Sequence, residues 1–134
     1  FDIDHFKHVN DQYGHPAGDE VIRQVSRTLK QLLRTTDIAG RYGGEEFGII
    51  LTDTPAQEAL ALAERIRAKV EALLVLTDEH KIKFTISIGI SEISPKLSEP
   101  IDWLKKSDIA LYHCKENGRN CCAIYTSAME NPPQ

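Results

Sequence analysis

Apolar residues recur along this chain with two different periods. A helical spacing over three stretches predicts amphipathic helices, because residues three or four apart share one helix face. From Ile82 to Ser91, apolar and polar residues instead alternate without a break, which predicts a strand with one buried face. The predicted helices cover residues 19–34, 54–76 and 98–117.

Local signals mark the boundaries of the two later helices. Thr54 is a predicted N-cap, with Pro55 at the first helical position and Gln57 placed for a capping box. Ser98 is the predicted N-cap of the last helix, and Gly118 is placed to end it. Both boundaries are therefore encoded by residues next to the helices themselves.

The two ends of the chain complete the predicted order of elements. Residues 1–4 read as the end of a truncated strand, and residues 5–19, rich in Asn, Asp, Gly and Pro, predict a short helical turn followed by a loop. Residues 121–125 predict a last short strand, and 127–134 a flexible tail. The order β-α-β-β-α-β-α-β predicts one α+β domain over 1–134, with helices flanking a central, mostly antiparallel sheet.

Residues 38–51 contain the most informative local pattern. Two strand-like segments flank Gly43-Gly44, which predicts a tight hairpin turn, because glycine accepts positive φ angles. Glu45 and Glu46 follow at once. Since neighbouring strand residues point to opposite faces, these acids cannot both be buried without partners. We expect one or both of them to face a cation or a ligand.

Composition and charge limit the range of functions. The net charge of -4, with acids and bases interspersed, lacks the basic footprint of a protein that binds nucleic acid. No apolar run approaches the ~18 residues needed to cross a bilayer, so we expect no membrane contact by this domain. The cysteines, Cys114, Cys121 and Cys122, have no zinc-binding spacing and fit a reduced, cytoplasmic setting.

Carboxylates are concentrated near the start of the chain and in the hairpin. If the strand that contains Asp2 and Asp4 pairs beside the hairpin, Asp2 comes close to Glu45 and Glu46. Several carboxylates at close range require a cation, and hard oxygen ligands favour Mg2+ or Mn2+ over zinc or copper. Such a metal suggests phosphoryl or nucleotidyl transfer, which needs charge stabilisation more than a covalent nucleophile.

Four further residues could bind a nucleotide, although each also has a plain structural role. Lys115 and Arg119 are suitable counter-charges for a triphosphate, and equally are favourable basic charges at a helix C-terminus. Asp19 can accept two hydrogen bonds from a guanine edge, and Asn10 can add another. Equally, Asp19 is an acid at a helix N-terminus and Asn10 a turn residue. The residues alone leave both interpretations open.

A series of short motifs runs through the whole chain. Its members are DIDHFKHVND at 2–11, GH at 14–15, GD at 18–19, RYGGEEF at 41–47, TISIG at 85–89 and KENGRN at 115–120. In order and spacing they resemble the motifs of the GGDEF domain of bacterial diguanylate cyclases, here in a GGEEF variant. The resemblance runs from residue 1 to about residue 125 and implies a nucleotidyl-cyclase-like fold.

The resemblance implies that two GTP molecules condense to cyclic di-GMP with release of pyrophosphate. It implies a homodimer, in which each 3′-hydroxyl attacks the α-phosphorus bound by the partner. Asp2, Glu45 and the Ile3 carbonyl would ligate magnesium, while Glu46 is a further ligand or helps to deprotonate the 3′-hydroxyl. The implied catalytic residues are Gly43, Gly44, Glu45 and Glu46.

The same resemblance implies contacts to substrate and product. The substrate contacts are Asn10 and Asp19 to guanine, and Lys115, Arg119 and the backbone amides around Phe6 and Lys7 to the phosphates. Arg34 and Asp37 occupy the position of the family's R-x-x-D site, where cyclic di-GMP binds and arrests the enzyme. Arg65 falls where the family has an additional arginine for that site. Arginine forks suit phosphates and guanine edges, so product inhibition is expected.

The resemblance also implies what the chain lacks. The family's opening helix, with its D-x-L-T and N-R motifs, and most of its first strand are absent, and an upstream sensory region that could tether the domain to a membrane is expected. Two alternatives stay open. One is a non-catalytic GGDEF module that binds GTP or cyclic di-GMP and signals through a partner. The other, a class III nucleotidyl cyclase, would lack the hairpin motif and the Asn10/Asp19 pair.

Overall fold

The computed structural model describes residues 1–93 and 100–130 of the chain. The helices are α1 (Phe6–Tyr13), α2 (His15–Leu32), α3 (Ala56–Ala72) and α4 (Pro100–Glu116), and Ser127–Glu130 forms a 3-10 turn. The strands are β1 (Asp2–Ile3), β2 (Ile38–Arg41), β3 (Phe47–Ile50), β4 (Val75–Leu76), β5 (Lys81–Ile82), β6 (Ile86–Ile90) and β7 (Cys122–Ile124). The predicted α+β class is confirmed.

Strand β6 lies at the centre of the sheet. It pairs antiparallel with β1, where Asp2 faces Ser87, and parallel with β7, where Ile88 faces Cys122. The antiparallel hairpin β2–β3 joins the sheet through β1, because Asp2 forms a bridge with Glu46. The mostly antiparallel sheet is therefore confirmed, with β6–β7 as a parallel pair within it.

The apolar stripes of the helices meet the sheet in one buried cluster. Val21 and Val25 of α2, Ile66 and Val70 of α3, and Ile86 of β6 are each at most 1% exposed. Burial of one such side chain contributes roughly 1.5–3 kcal/mol. Burial of the apolar side chains that recur at helical spacing thus holds α2 and α3 on the sheet.

Helix α4 approaches the sheet most closely at Gly89. A Cβ atom at that position would lie 2.1 Å from the carbonyl oxygen of Ser107 and 2.4 Å from the amide nitrogen of Leu111. Only glycine leaves space for the helix backbone at this distance. The close approach fixes the middle of α4 against β6.

Residues 5–19 differ from their prediction. Instead of one helical turn and a loop, they form α1 and the start of α2, which begins at His15 rather than Asp19. Gly14, with a φ of 91°, separates the two helices, and Pro16 stands in the first turn of α2. Burial of apolar side chains on both helices outweighs the low helix propensity of the Asn, Asp and Gly residues.

The predicted cap of α3 is wrong. The residue preceding α3 is Pro55, and the Thr54 hydroxyl donates to the Thr52 carbonyl at 2.7 Å instead of capping the helix. The first amide of α3, that of Ala56, donates to the Glu92 carboxylate at 3.4 Å. The hydroxyl of Thr54 also accepts a hydrogen bond from Arg34 at 2.9 Å. A tertiary partner has therefore replaced the local cap.

The unbroken alternation that starts at Ile82 does not form a single strand. Its first part pairs with Val75–Leu76, so α3 ends at Ala72 and a small β4–β5 hairpin follows. Its second part, β6, pairs with β1 and β7. The two parts have different partners, which the alternation itself does not specify.

Several predicted features lie outside the described residues or at their limits. Ser98 and residues 131–134 are not among them, so the predicted N-cap of α4 and most of the predicted tail stay predictions. Within 1–93 and 100–130, no helix combines the length and apolar character that crossing a membrane requires.

Candidate functional site

The end of β1 lies directly against the tip of the β2–β3 hairpin. Asp2 faces Glu46 across an antiparallel bridge. The Ile3 amide donates a hydrogen bond to the Glu45 carbonyl at 3.2 Å. The residues that the sequence nominated as metal ligands are therefore neighbours, as expected if the first strand pairs beside the hairpin.

Asp2 is buried and only partly hydrogen-bonded. It is 6% exposed, and its Oδ2 atom is paired with the ammonium group of Lys115. Its Oδ1 atom has no hydrogen-bond partner among the residues that the structure describes. A buried carboxylate oxygen without a donor is costly, so this atom is suited to a cation.

The residues around Asp2 fit a hard divalent cation. The described part of the chain contains no cluster of three or more His, Cys, Asp or Glu side chains that could hold a metal ion. Mg2+ does not need such a cage, because one or two carboxylates usually hold it together with water and substrate phosphates. The unbonded oxygen of Asp2, the Ile3 carbonyl and the adjacent Glu45 and Glu46 offer oxygen donors of that kind.

The loop that joins β2 to β3 is longer than the predicted tight turn, because its last paired residues are Arg41 and Phe47. Neither Gly43 nor Gly44 has a positive φ, so that reason for the glycine pair is wrong. Gly43 provides space instead, since a Cβ atom there would lie 3.1 Å from Glu46 Oε2. Arg41 donates to the Gly44 carbonyl at 2.9 Å and stabilises the loop.

The backbone amides of Phe6 and Lys7, which were predicted to contact phosphates, lie at the N-terminus of α1. The helix begins after His5, whose φ of 55° is left-handed, and no side chain caps it. Its first amide groups therefore have no acceptor within the helix. Such amides, together with the helix dipole, favour an anion.

Asn10 and Asp19 come together where α1 packs against α2. A Cβ atom on the buried Gly18 would lie 1.9 Å from Asn10 Oδ1, so the Asn10 amide lies against the backbone just before Asp19. Asp19 is exposed and Asn10 half-buried. The pair is accessible to a ligand, and Gly18 is required for its arrangement.

Lys115 and Arg119 lie at the C-terminus of α4. The Arg119 amide donates to the Cys114 carbonyl at 2.9 Å, and Gly118 has a φ of 101°, which is a Schellman ending. The prediction that Gly118 ends this helix is confirmed. Lys115 is paired with Asp2, whereas the exposed Arg119 side chain forms no hydrogen bond or ion pair within the described residues.

The predicted inhibitory residues lie at the end of α2 and on α3. Nε and Nη2 of Arg34 bind the two carboxylate oxygens of Asp37 at 3.2 and 3.0 Å, and this hydrogen bonding holds the pKa of Asp37 below its usual value. Arg65 is exposed. One turn further along α3, Lys69 donates to Gln31 of α2 at 2.7 Å, so this part of α3 lies beside the end of α2.

Sequence reasoning gave Asp4 no role of its own. In the structure it is 5% exposed, and it accepts hydrogen bonds from the hydroxyls of Thr85 and Ser87, both at 2.7 Å. Those residues alternate with apolar ones before and within β6, so they present two hydroxyls on one face. That pattern was the available signal for a buried acid on the neighbouring strand.

The architecture and the site define a nucleotidyl-cyclase-like α+β domain. The sequence model of the family described as "Diguanylate cyclase, GGDEF domain" matches residues 1–121. The chain therefore belongs to the GGDEF domain family.

Individual relatives agree with this assignment. Diguanylate cyclase A of Treponema denticola is 48% identical over 119 residues, which are 89% of this chain and 32% of that protein. The GGDEF domain of DgcB from Caulobacter crescentus, in complex with c-di-GMP, has a TM-score of 0.87 and 34% identity, covering 92% of this chain and 73% of that one. The active GGEEF domain of a diguanylate cyclase from Vibrio cholerae has a TM-score of 0.85 and 37% identity, covering 94% of this chain and 80% of that one. The chain thus spans about a third of the length of the Treponema relative.

Proposed function

We propose that this chain is the catalytic domain of a diguanylate cyclase that converts two GTP molecules to cyclic di-GMP and two pyrophosphates. In each half-reaction a 3′-oxygen bonds to an α-phosphorus, and the bond from that phosphorus to pyrophosphate breaks. The observation that carries the proposal is Asp2, a buried carboxylate with one unbonded oxygen beside Glu45 and Glu46 of the family motif. This geometry supports the proposal, because a cation held there could neutralise charged phosphate groups.

The proposed metal is Mg2+ or Mn2+, held by Asp2, the Ile3 carbonyl, Glu45 and Glu46. When bound, it supplies positive charge that stabilises phosphate oxygens. Glu46 is exposed at the hairpin tip and can accept the proton of an incoming 3′-hydroxyl. Asp2 keeps its orientation because β1 is paired with β6 on one side and with the hairpin on the other.

The remaining predicted residues position the substrate. The uncapped N-terminus of α1 and the side chains of Lys115 and Arg119 provide donors for the phosphates. Asn10 and Asp19 provide an acceptor and donor set for the guanine edge. Lys115 already contacts Asp2, and only two residues separate β1 from α1, so we expect one GTP molecule to contact all of these elements.

The proposed active form is a homodimer. One domain binds one GTP, and its exposed hairpin tip faces outward, where the substrate of a second domain can approach. Turnover should therefore depend on the square of the protein concentration when the protein is dilute. A rate strictly proportional to concentration in the range where sedimentation shows a monomer would contradict the dimeric mechanism.

Incubation with GTP, with and without Mg2+, followed by chromatography of the nucleotides, tests the activity. We expect cyclic di-GMP and pyrophosphate only when Mg2+ is present, and neither product from Glu46→Ala. Glu79→Ala, which removes an exposed acid between β4 and β5 and outside the motifs, is the matched control and should retain the parent rate. GTP that is bound but stays intact in the parent would favour the non-catalytic module instead.

We also propose that cyclic di-GMP inhibits the enzyme at Arg34, Asp37 and Arg65. Arg34 already holds Asp37 and the Thr54 hydroxyl, so its removal also disturbs the fold. Arg65 is the cleaner test, because its side chain makes no hydrogen bond or ion pair within the described residues. Arg65→Ala should keep the initial rate and raise the concentration of product needed for half-inhibition. Equal inhibition of variant and parent would remove the regulatory proposal.

A further inference from the structure

The turn that follows α4 has an unfavourable backbone. Gly118, Arg119 and Asn120 have φ values of 101°, 62° and 49°, so consecutive residues are left-handed and two of them carry a Cβ atom. Such conformations persist where surrounding contacts determine them, and they are common at functional sites. Contacts outside the turn must therefore hold it in place.

Asp4 provides one side of that support. Its Oδ2 atom accepts the backbone amide of Asn120 at 3.0 Å, and the same amide lies 3.1 Å from the Ser87 hydroxyl oxygen. The Thr85 and Ser87 hydroxyls donate to the two Asp4 oxygens and fix the carboxylate. Asp4 is buried and its oxygens are already bonded, so it acts on the turn rather than on a ligand.

Helix α3 provides the other side. The side-chain oxygen of Asn120 accepts a hydrogen bond from Arg67 at 3.0 Å, and its amide nitrogen bonds to Glu71. The Asn120 backbone is thus tied to β1 and β6 while its side chain is tied to α3. Arg119, the residue before it, is left with an exposed side chain on a fixed backbone.

We propose that Asp4 is a positioning residue for substrate binding: it holds the turn 117–120 so that Arg119 meets the substrate phosphates. The inference rests on the proposed function, because Arg119 is the group through which Asp4 acts. It predicts that Asp4 affects GTP affinity more than the rate of the bound complex. The Asn120 amide has two acceptors, the Asp4 carboxylate and the Ser87 hydroxyl oxygen, and Asp4 also orients that hydroxyl by accepting its proton. Removal of Asp4 therefore takes away one acceptor and leaves the other without a fixed orientation.

A double-mutant cycle tests the proposal. The Kd of a non-hydrolysable GTP analogue is measured with Mg2+ for the parent, Asp4→Ala, Arg119→Ala and the double variant. We expect Asp4→Ala to weaken binding by roughly tenfold, and to have little further effect once Arg119 is removed. An undiminished effect of Asp4→Ala in the Arg119→Ala background would overturn the proposal.

Two controls separate positioning from loss of stability. Asp4→Asn keeps an acceptor that can face the Asn120 amide, with its amide nitrogen toward the Ser87 hydroxyl, and should restore most of the affinity. Val25→Ala destabilises the core of α2 away from the turn and should leave the Kd unchanged. An equal loss of affinity in Val25→Ala would make the Asp4 effect merely structural and overturn its positioning role.

Amide hydrogen exchange gives a readout that needs no nucleotide. In Asp4→Ala, exchange over residues 117–120 should accelerate by roughly tenfold or more, while the core of α2 keeps its protection. Unchanged exchange in this segment would overturn the positioning role even if the enzyme is active. A parent that shows no GTP binding would instead overturn the proposed function, whatever the exchange result.

Discussion

Asp2 and Asp4 lie two residues apart at the end of one strand, and both are buried, yet their surroundings differ. Asp4 receives neutral donors on both oxygens, from Thr85, Ser87 and Asn120. Asp2 is paired with Lys115 through one oxygen, and its other oxygen has no partner among the described residues. Both oxygens of Asp4 are therefore hydrogen-bonded within the fold, whereas one oxygen of Asp2 is not bonded to any described residue.

The difference separates the scaffold from the site. A buried carboxylate that the protein satisfies by itself contributes to folding, because its removal leaves donors without an acceptor. A buried carboxylate that the protein leaves partly unsatisfied is held in place at a cost in stability, and a ligand can offset that cost. We therefore expect substitution of Asp2 to affect mainly activity and substitution of Asp4 to affect mainly stability.

The largest effect is expected at Asp2. Asp2→Asn should lower cyclic di-GMP formation on the order of a thousandfold, because a neutral amide cannot supply the charge that Mg2+ requires. Its free energy of unfolding should stay within about 1 kcal/mol of the parent, since the lost ion pair is offset by the removal of a buried charge. Steady-state kinetics and urea unfolding measure the two quantities. A folded Asp2→Asn protein with parental turnover would break the contrast.

At Asp4 we expect the larger effect on stability. Asp4→Ala removes the acceptor of three hydrogen-bond donors and should lower the free energy of unfolding by about 3 kcal/mol. Urea unfolding monitored through Trp103 provides the measurement, with Asp11→Ala as the exposed control. A loss no greater than that of the control would show that the network contributes nothing to stability.

Lys115 sharpens the contrast because it is the replaceable partner of Asp2. Lys115→Met should lower stability without metal by about 1 kcal/mol, a modest value because the lysine is partly exposed. Mg2+ should then stabilise this variant more than the parent, since Asp2 no longer has a competing cation. Thermal unfolding with and without Mg2+ tests this, with Lys105→Met on the exposed face of α4 as control. Identical Mg2+ increments in Lys115→Met and parent would argue against competition.

The smallest effect is expected for the chemical reactivity of Cys114, which is buried as Asp4 is. This thiol is fully buried, its sulfur lies 3.6 Å from the Ile88 carbonyl, and burial raises its pKa to about 12. At pH 8 the thiol is therefore protonated, and iodoacetamide should modify Cys121, which is half-buried, well before Cys114. Mass spectrometry of timed samples measures this. Equal labelling of both cysteines in the folded protein would show that the region opens readily.

The elements that were predicted well are those with long, regular patterns. The apolar stripes of α2 and α3 and the alternation in β6 each follow from one periodicity, and tertiary contacts reinforce it. The predicted apolar face of α4 is only partly buried, because Leu104 and Tyr112 are exposed. The start of α2 was misplaced because Gly14, Pro16 and Gly18 suggested a loop. Gly18 is instead a helical residue whose missing side chain leaves space for Asn10. The tight turn was predicted wrongly for a related reason: Gly43 leaves space for the Glu46 side chain and does not adopt a positive φ.

The sequence by itself determined the fold class, the order of the motifs and the nomination of Asp2, Glu45 and Glu46 as neighbours. Periodicity and residue type act over short distances, and they are readable without coordinates. Only the tertiary structure decided which oxygen of Asp2 stays without a partner and that Asp4 holds the turn at Asn120. Those facts depend on strand pairing and on contacts between residues more than a hundred positions apart, and no local pattern specifies which donor reaches which acceptor.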